Sequence, residues 1–331
     1  MQPRHATQAK VGLALGYFRA RSVTAFIPLL ELGNSPSKLM IKRFKVASPL
    51  ICFFLMLAPA AVTQSAAKPA AKDETGFTSY AAFEGTSDGD GQVYVLSSSV
   101  GYSFTRHFGT DLGVPFYLVR PSSSLGGTSS DGIGNPSLDL RLRFPGRAVN
   151  FASVVTGSAP VGDSKKGLST GRGTYDWTNH FDHAFESFTP FGEIGISNTV
   201  ADTRLFLRPF TALGFNTHVQ GGANYDLWKF FSAGASGYSI LPSGQQTIFS
   251  KVVATSGNSN GHGHSFENNQ QTTGGADLAR DYGFSTWIDA NPTPYLDMEL
   301  GYTRSVNYDL NAVSFGVGIN VGYLARRRNG Y

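Results

Sequence analysis

The sequence predicts an all-β fold, a transmembrane antiparallel up-and-down β-barrel of about 12 strands of the bacterial outer-membrane type. Three observations carry this. In Gln92–Arg120 the side chains alternate: Tyr94, Leu96, Ser98, Val100, Tyr102 and Phe104 share one parity, and Ser97, Ser99, Gly101 and Ser103 the other. Period two means strand. The two arms, 92–104 and 108–120, hold 13 residues each, longer than most soluble strands and enough for a tilted strand to cross a bilayer, which takes about 9 to 11. The second observation is that shorter and longer connections alternate along the chain, and the third is an export address ahead of the first strand.

That address is Met40–Ala67, with Lys42, Arg43 and Lys45 before a short apolar core and small residues before a cut after Ala60 or Ala67. It reads as a signal peptide. Residues 1–39 read as a non-native or disordered extension upstream of it, and 68–75 as a periplasmic linker. Of 27 basic and 23 acidic residues, eight basic and one acidic fall in 1–67, so the remainder carries 19 against 22. The basic excess is therefore confined to the discarded part, and nothing argues for nucleic acid. The one cysteine, Cys52, lies in the signal core, so the mature chain has no disulfide and no cysteine metal site. The 39 Gly, 25 Phe and 14 Tyr suit a barrel with a lipid face and aromatic rims.

Strands are expected at 76–86, 92–104, 108–120, 136–144, 149–161, 174–188, 191–200, 213–227, 230–241, 281–291, 295–304 and 311–323. The barrel domain is then 76–331, with its long outer loop at 242–280. Short turns are expected at the periplasmic end, including Thr105–His107, Pro145–Ala148 and Thr189–Pro190, and longer loops outside. The outer loop around Leu205, Phe206, Leu207 and Phe210 is apolar. It is read as extending its flanking strands rather than folding inward as a ligand wall. The last strand presents Val313, Phe315, Val317, Ile319, Val321 and Tyr323 as one unbroken outward row, similar to the closing signal that barrel assembly machinery reads.

The opposite parity faces the lumen and carries the candidate lining and selectivity residues. Near the periplasmic end are Asp111, Glu186, Glu193, Asp226, Asp289, Asp297 and Glu299, against Arg141 and Arg143 beside Asp139. Asp111 is placed to pair with Arg141. Two readings stand: a cation-preferring constriction, since carboxylates in a confined channel bias permeation, or acids that satisfy one another's hydrogen bonds inside a filled barrel. The strand 175–185 holds Asp176, His180, Asp182 and, on the other parity, His183. An Asp/His pair suits general-base work, yet no serine stands in a nucleophile setting. His218, with Gln220 and Asn224, reads as lumen wall. His262 and His264 lie two apart in a polar loop without a carboxylate or cysteine cluster, so no metal is assigned.

At GIGNPSLDLRLRFPG (132–146) and GSAPVGDSKKGLSTGRGTYDW (157–177), the chain resembles a family of outer-membrane transporters named for the meta-cleavage pathway of phenol degradation. That family shows a Gly-x-Gly-Asp step, then Pro-Thr-Gly-Asp and Gly-x-Gly steps. The matching positions here are Gly132, Gly134 and Asn135, then Pro160, Val161, Gly162 and Asp163, then Gly171 and Gly173, with Asn135 and Val161 departing from the pattern. The resemblance implies a barrel that moves small, often aromatic or apolar molecules across the outer membrane.

The expected function is thus passive uptake of small molecules, with no enzyme activity, cofactor or metal. A hydrolase using His180 and Asp182 and a structural or adhesive surface barrel are the alternatives. The expected partners are outer-membrane lipid and lipopolysaccharide, the barrel assembly machinery and the permeant.

Overall fold

The computed structural model describes residues 75–203, 205–253, 266–267 and 269–328. The extension, the signal peptide, linker residues 68–74 and the His262/His264 loop lie outside the described residues. The described strands are β1 (Gly76–Ser87), β2 (Gly91–Ser103), β3 (Phe108–Pro121), β4 (Ser130–Ile133), β5 (Ser137–Phe144), β6 (Asn150–Ser158), β7 (Thr174–Asp182), β8 (Phe188–Ser197), β9 (Phe210–Trp228), β10 (Phe231–Ser250), β11 (Gln271–Gly274), β12 (Asp281–Thr293), β13 (Leu296–Ser305) and β14 (Leu310–Asn320). Twelve of these close into an antiparallel barrel, with β9 on β10 and β14 on β1 completing the circle. The short strands β4 and β11 are ribbons on β3 and β10 at the long-loop end.

Alternation decides which side chains face out. Leu96, Leu112, Leu140, Trp177, Ile194, Phe284 and Leu300 are all exposed, and the residues between them are mainly small or polar and face inward. At the short-turn end, aromatic rings touch in series: Tyr102 and Phe104 at 5.2 Å, Phe104 and Phe108 at 5.4 Å, Phe151 and Phe181 at 5.1 Å. Such a girdle marks a membrane–water boundary in this class of barrel.

Four expectations are corrected. β7 stops at Asp182 rather than Phe188, because the chain reverses at Glu186 and Ser187: Phe185 and Phe188 exchange backbone hydrogen bonds at 2.7 and 2.9 Å, and Glu186 adopts a φ of 52°. Thr189 and Pro190 are already in β8. β10 continues past Leu241 to Ser250, so the outer loop expected from 242 begins later. The sequence PSGQQ looks like a turn, yet Gly244, at a φ of 72°, turns it into a bulge, after which Thr247–Ser250 pair again with β9. β14 ends at Asn320, where a helix, Val321–Arg328, begins. The Asn320 side chain accepts from the backbone N–H of Tyr323 at 2.9 Å, a helix N-cap that stops the strand.

The fourth correction concerns the β8–β9 connection, which folds into the barrel instead of prolonging its strands. Phe206, Leu207 and Arg208 are each no more than 2% exposed. The Leu207 N–H donates to Thr86 Oγ1 on β1 at 2.9 Å, and Thr303 Oγ1 on β13 donates to the Leu205 carbonyl at 3.2 Å. Around this loop lies an apolar core that includes Val93, Val119, Phe210, Ile248, Phe266, Tyr308 and Leu310. Two buried ion pairs fasten it: Arg208 Nη1 lies 3.0 Å from Asp281 Oδ2, and Lys251 Nζ lies 2.8 Å from Asp202 Oδ2. Charges this deep are retained only when paired and hydrogen-bonded. Lys251 also donates to the Arg208 carbonyl at 2.9 Å, and Tyr117 Oη donates to Asp202 at 3.0 Å.

Candidate functional site: a chamber under an inward-folded loop

Beneath this plug the barrel encloses a chamber of about 910 Å³. Its wall runs from Trp228, Lys229, Phe230 and Asn291 at the short-turn rim to Val200, Phe206 and Arg208 at the underside of the plug.

Of the expected lumen residues, Asp176, His180, Asp182, Glu193, His218, Asp226, Asp289, Asp297 and Glu299 line the chamber. Asp111, Asp139, Arg141 and Arg143 point inward but stand outside the chamber lining. Arg141 and Asp111 form a buried ion pair, and Asp139, opposite Asp111 in register, accepts from Thr156 Oγ1 at 2.6 Å. Glu186 is corrected: it sits exposed in the β7–β8 reversal and lines nothing.

The chamber wall is built from strand register. His180 Nδ1 lies 2.9 Å from Glu193 Oε1, its register partner on β8, and Nε2 lies 3.4 Å from Asp182. His218 reaches across β8 to β7, with Nε2 2.9 Å from Thr178 Oγ1 and Nδ1 3.8 Å from Asp176 Oδ2. That crossing depends on Gly195, where a Cβ would meet His218 Nε2 at 2.3 Å. Trp287 likewise lies flat over Gly234, with its indole N–H donating to Asn224 at 3.1 Å. Lower down, Asp289 and Glu299 are direct cross-strand partners, and Tyr80 Oη donates to Asp297 at 2.8 Å. Like charges placed opposite one another work against pairing.

Thr178, His218 and Asp176 have the order of a hydroxyl–imidazole–carboxylate relay, but not its geometry. The Thr178 hydroxyl donates its hydrogen bond to Asp176 Oδ1 at 2.6 Å, and 3.8 Å between carboxylate and imidazole is beyond a hydrogen bond. His180 is held between two carboxylates, with no hydroxyl bonded to it among the described residues. Neither set is arranged for nucleophilic attack.

The sequence did not mark Phe191, Trp287, Ser197 or Asn216 as lining residues. Each follows from its strand's parity once the register is known. Nor did it reveal the loop that forms the ceiling.

No family model matches the chain, and no curated protein does. Among solved structures it is similar to a COG4313 outer membrane channel from Pseudomonas putida F1, at 14% identity over 77% of this chain and 99% of that chain, with a TM-score of 0.53. It is more distantly similar to the KdgM porin in complex with disordered oligogalacturonate, at 8% identity over 72% of this chain and 98% of that one (TM-score 0.43). The NanC porin matches at 7% identity over the same shares, 72% and 98% (TM-score 0.42). At 14% identity the likeness to the COG4313 channel establishes the fold alone, that of an outer-membrane β-barrel.

Proposed function

We propose that this chain is an outer-membrane channel for passive uptake of small molecules, aromatic or apolar ones among them, seen in its closed form. One observation carries the reading: a chamber occupies the barrel from the short-turn rim upward and is capped by a loop of the same chain held through side-chain contacts. A rigid wall cannot open, but a loop anchored by six hydrogen bonds and ion pairs can. Export through Met40–Ala67, assembly by the barrel machinery, and a seat among outer-membrane lipid and lipopolysaccharide follow from the same reading. The long loops then face outward and the acidic chamber faces the periplasm. A permeant moves down its own gradient, without cofactor or chemistry.

The test is single-channel recording in planar bilayers under a salt gradient. The full chain is expected to show brief openings. A variant with residues 203–208 replaced by a Gly-Ser linker is expected to show steady, cation-favouring current. A folded, heat-modifiable variant that still passes no current would overturn the channel reading.

A further inference from the structure

We infer that the top of the chamber is a binding site for the ammonium group of a small apolar amine, received by Asp176, Ser197 and Asn216. This rests on the channel reading and narrows its substrate class.

The three side chains form one row across β7, β8 and β9: Asp176 pairs in register with Ser197, and Ser197 with Asn216. Neighbouring strands are about 4.8 Å apart, so a group seated over Ser197 is within reach of both flanking side chains. All three line the chamber, and Ser197 and Asn216 are 1% exposed.

What they turn toward one another is an open carboxylate oxygen, a hydroxyl oxygen and an amide oxygen that receives no hydrogen bond among the described residues. The Ser197 hydroxyl donates to the Thr199 carbonyl at 2.5 Å, and one N–H of the Asn216 amide donates to the Gly214 carbonyl at 2.6 Å. The Asn216 Oδ1 is buried and receives no hydrogen bond. Asp176 takes Thr178 on Oδ1, while its Oδ2 faces His218 Nδ1 at 3.8 Å, beyond a hydrogen bond, and so retains lone pairs. A buried acceptor without a donor is costly, so this row calls for a group that only donates. An ammonium has three N–H donors and no acceptor, and its charge is attracted by Asp176 in a confined, poorly screened space. A carboxylate would meet acceptor against acceptor, and an alcohol could satisfy only one partner.

The apolar requirement comes from above. Val200 and Phe206, on the underside of the plug, complete the wall of this part of the chamber. An ammonium on the row thus has room for an apolar body against the loop that must move for passage.

The experiment is isothermal titration of the full-length protein, folded in detergent, with benzylammonium, benzyl alcohol and benzoate. Benzylammonium is expected to bind at least tenfold more tightly than benzyl alcohol, with benzoate weakest. Asn216→Leu should weaken benzylammonium several-fold and Asn216→Asp should tighten it, while neither changes benzyl alcohol. Asp176→Asn should remove most of the preference. The opposite signs at Asn216 keep the test decisive if Asp176→Asn does not fold. Equal affinity for the amine and the alcohol, or no response to either Asn216 variant, would overturn the inference. Parallel solute flux into vesicles separates the two ideas: flux without amine preference sinks this inference alone, whereas amine binding without flux through the plug-shortened variant sinks the channel.

Discussion

The two ends of this barrel obey the same alternation and fill their interiors in opposite ways. At the long-loop end, inward positions such as Val93, Val95, Val119, Ala212 and Leu310 are apolar and fully packed. At the short-turn end, the inward positions of the same strands or their neighbours are Asp226, Asp289, Asp297 and Glu299 around a chamber. Parity fixes only which residues point inward. What they meet there, protein or solvent, decides whether they are apolar or charged. The upper half therefore behaves as a soluble protein's core enclosed in a membrane wall, and the lower half as a water-facing surface turned inside out.

This contrast can be broken most strongly at the latch. Arg208→Ala leaves Asp281 buried without its cation and should cost about 3 to 5 kcal/mol, read as a lower urea midpoint in vesicles. Longer openings in bilayers should accompany it. Phe206→Ala removes a fully buried ring from the plug and should cost about 3 kcal/mol. The same truncation of lipid-facing Phe284, which is 46% exposed, should cost clearly less. If both changes are equal, the upper half is not a packed core.

Acidity sharpens the contrast further. In the β1–β2 loop, burial and a hydrogen bond with Glu267 push the Asp90 carboxyl up to about 9, and burial pushes Asp88 up to about 6. Both acids therefore fold best in their neutral forms. Their stabilisation is complete below the ordinary carboxylate value of about 4 and is lost as pH rises through about 6 toward about 9. The long-loop end should loosen over that window, seen as faster amide exchange there, and Asp90→Asn should flatten the dependence. A stability that instead rises from pH 4 to 8 would contradict this.

The smallest stability effects belong to the chamber. Glu193→Gln with Asp226→Asn should barely move the urea midpoint. In the plug-shortened background, however, the pair should shift the reversal potential toward zero. An unchanged potential would mean the lower acids do not set ion preference.

The barrel was legible because period two is a local property: each strand announces its own parity in about ten residues. The register was not, and much of the site depends on it. His218 meets Asp176 only because Gly195 lies between them, and nothing in either residue's neighbours signals that. The plug was misread for a related reason. Leu205, Phe206 and Leu207 suit an extended strand as well as a packed loop, and what draws them inward is Asp281, 73 residues beyond Arg208. At the C-terminus, Val321 and Tyr323 continue the alternation of β14. The change to helix is made by Asn320 capping Tyr323, a role that looks the same as a lumen-facing Asn.

That short helix also closes an open strand edge. β14 pairs with β1 from Tyr80 to Ser87, so the first residues of β1, Gly76–Ser79, have no β14 partner. The helix packs against this stretch: at Gly322 a Cβ would meet the Ser79 nitrogen at 3.0 Å and the Phe77 carbonyl at 3.3 Å. An uncovered strand edge is a template for a foreign strand. By turning into a helix where it does, the chain covers the backbone edge left beyond the end of the β14–β1 ladder.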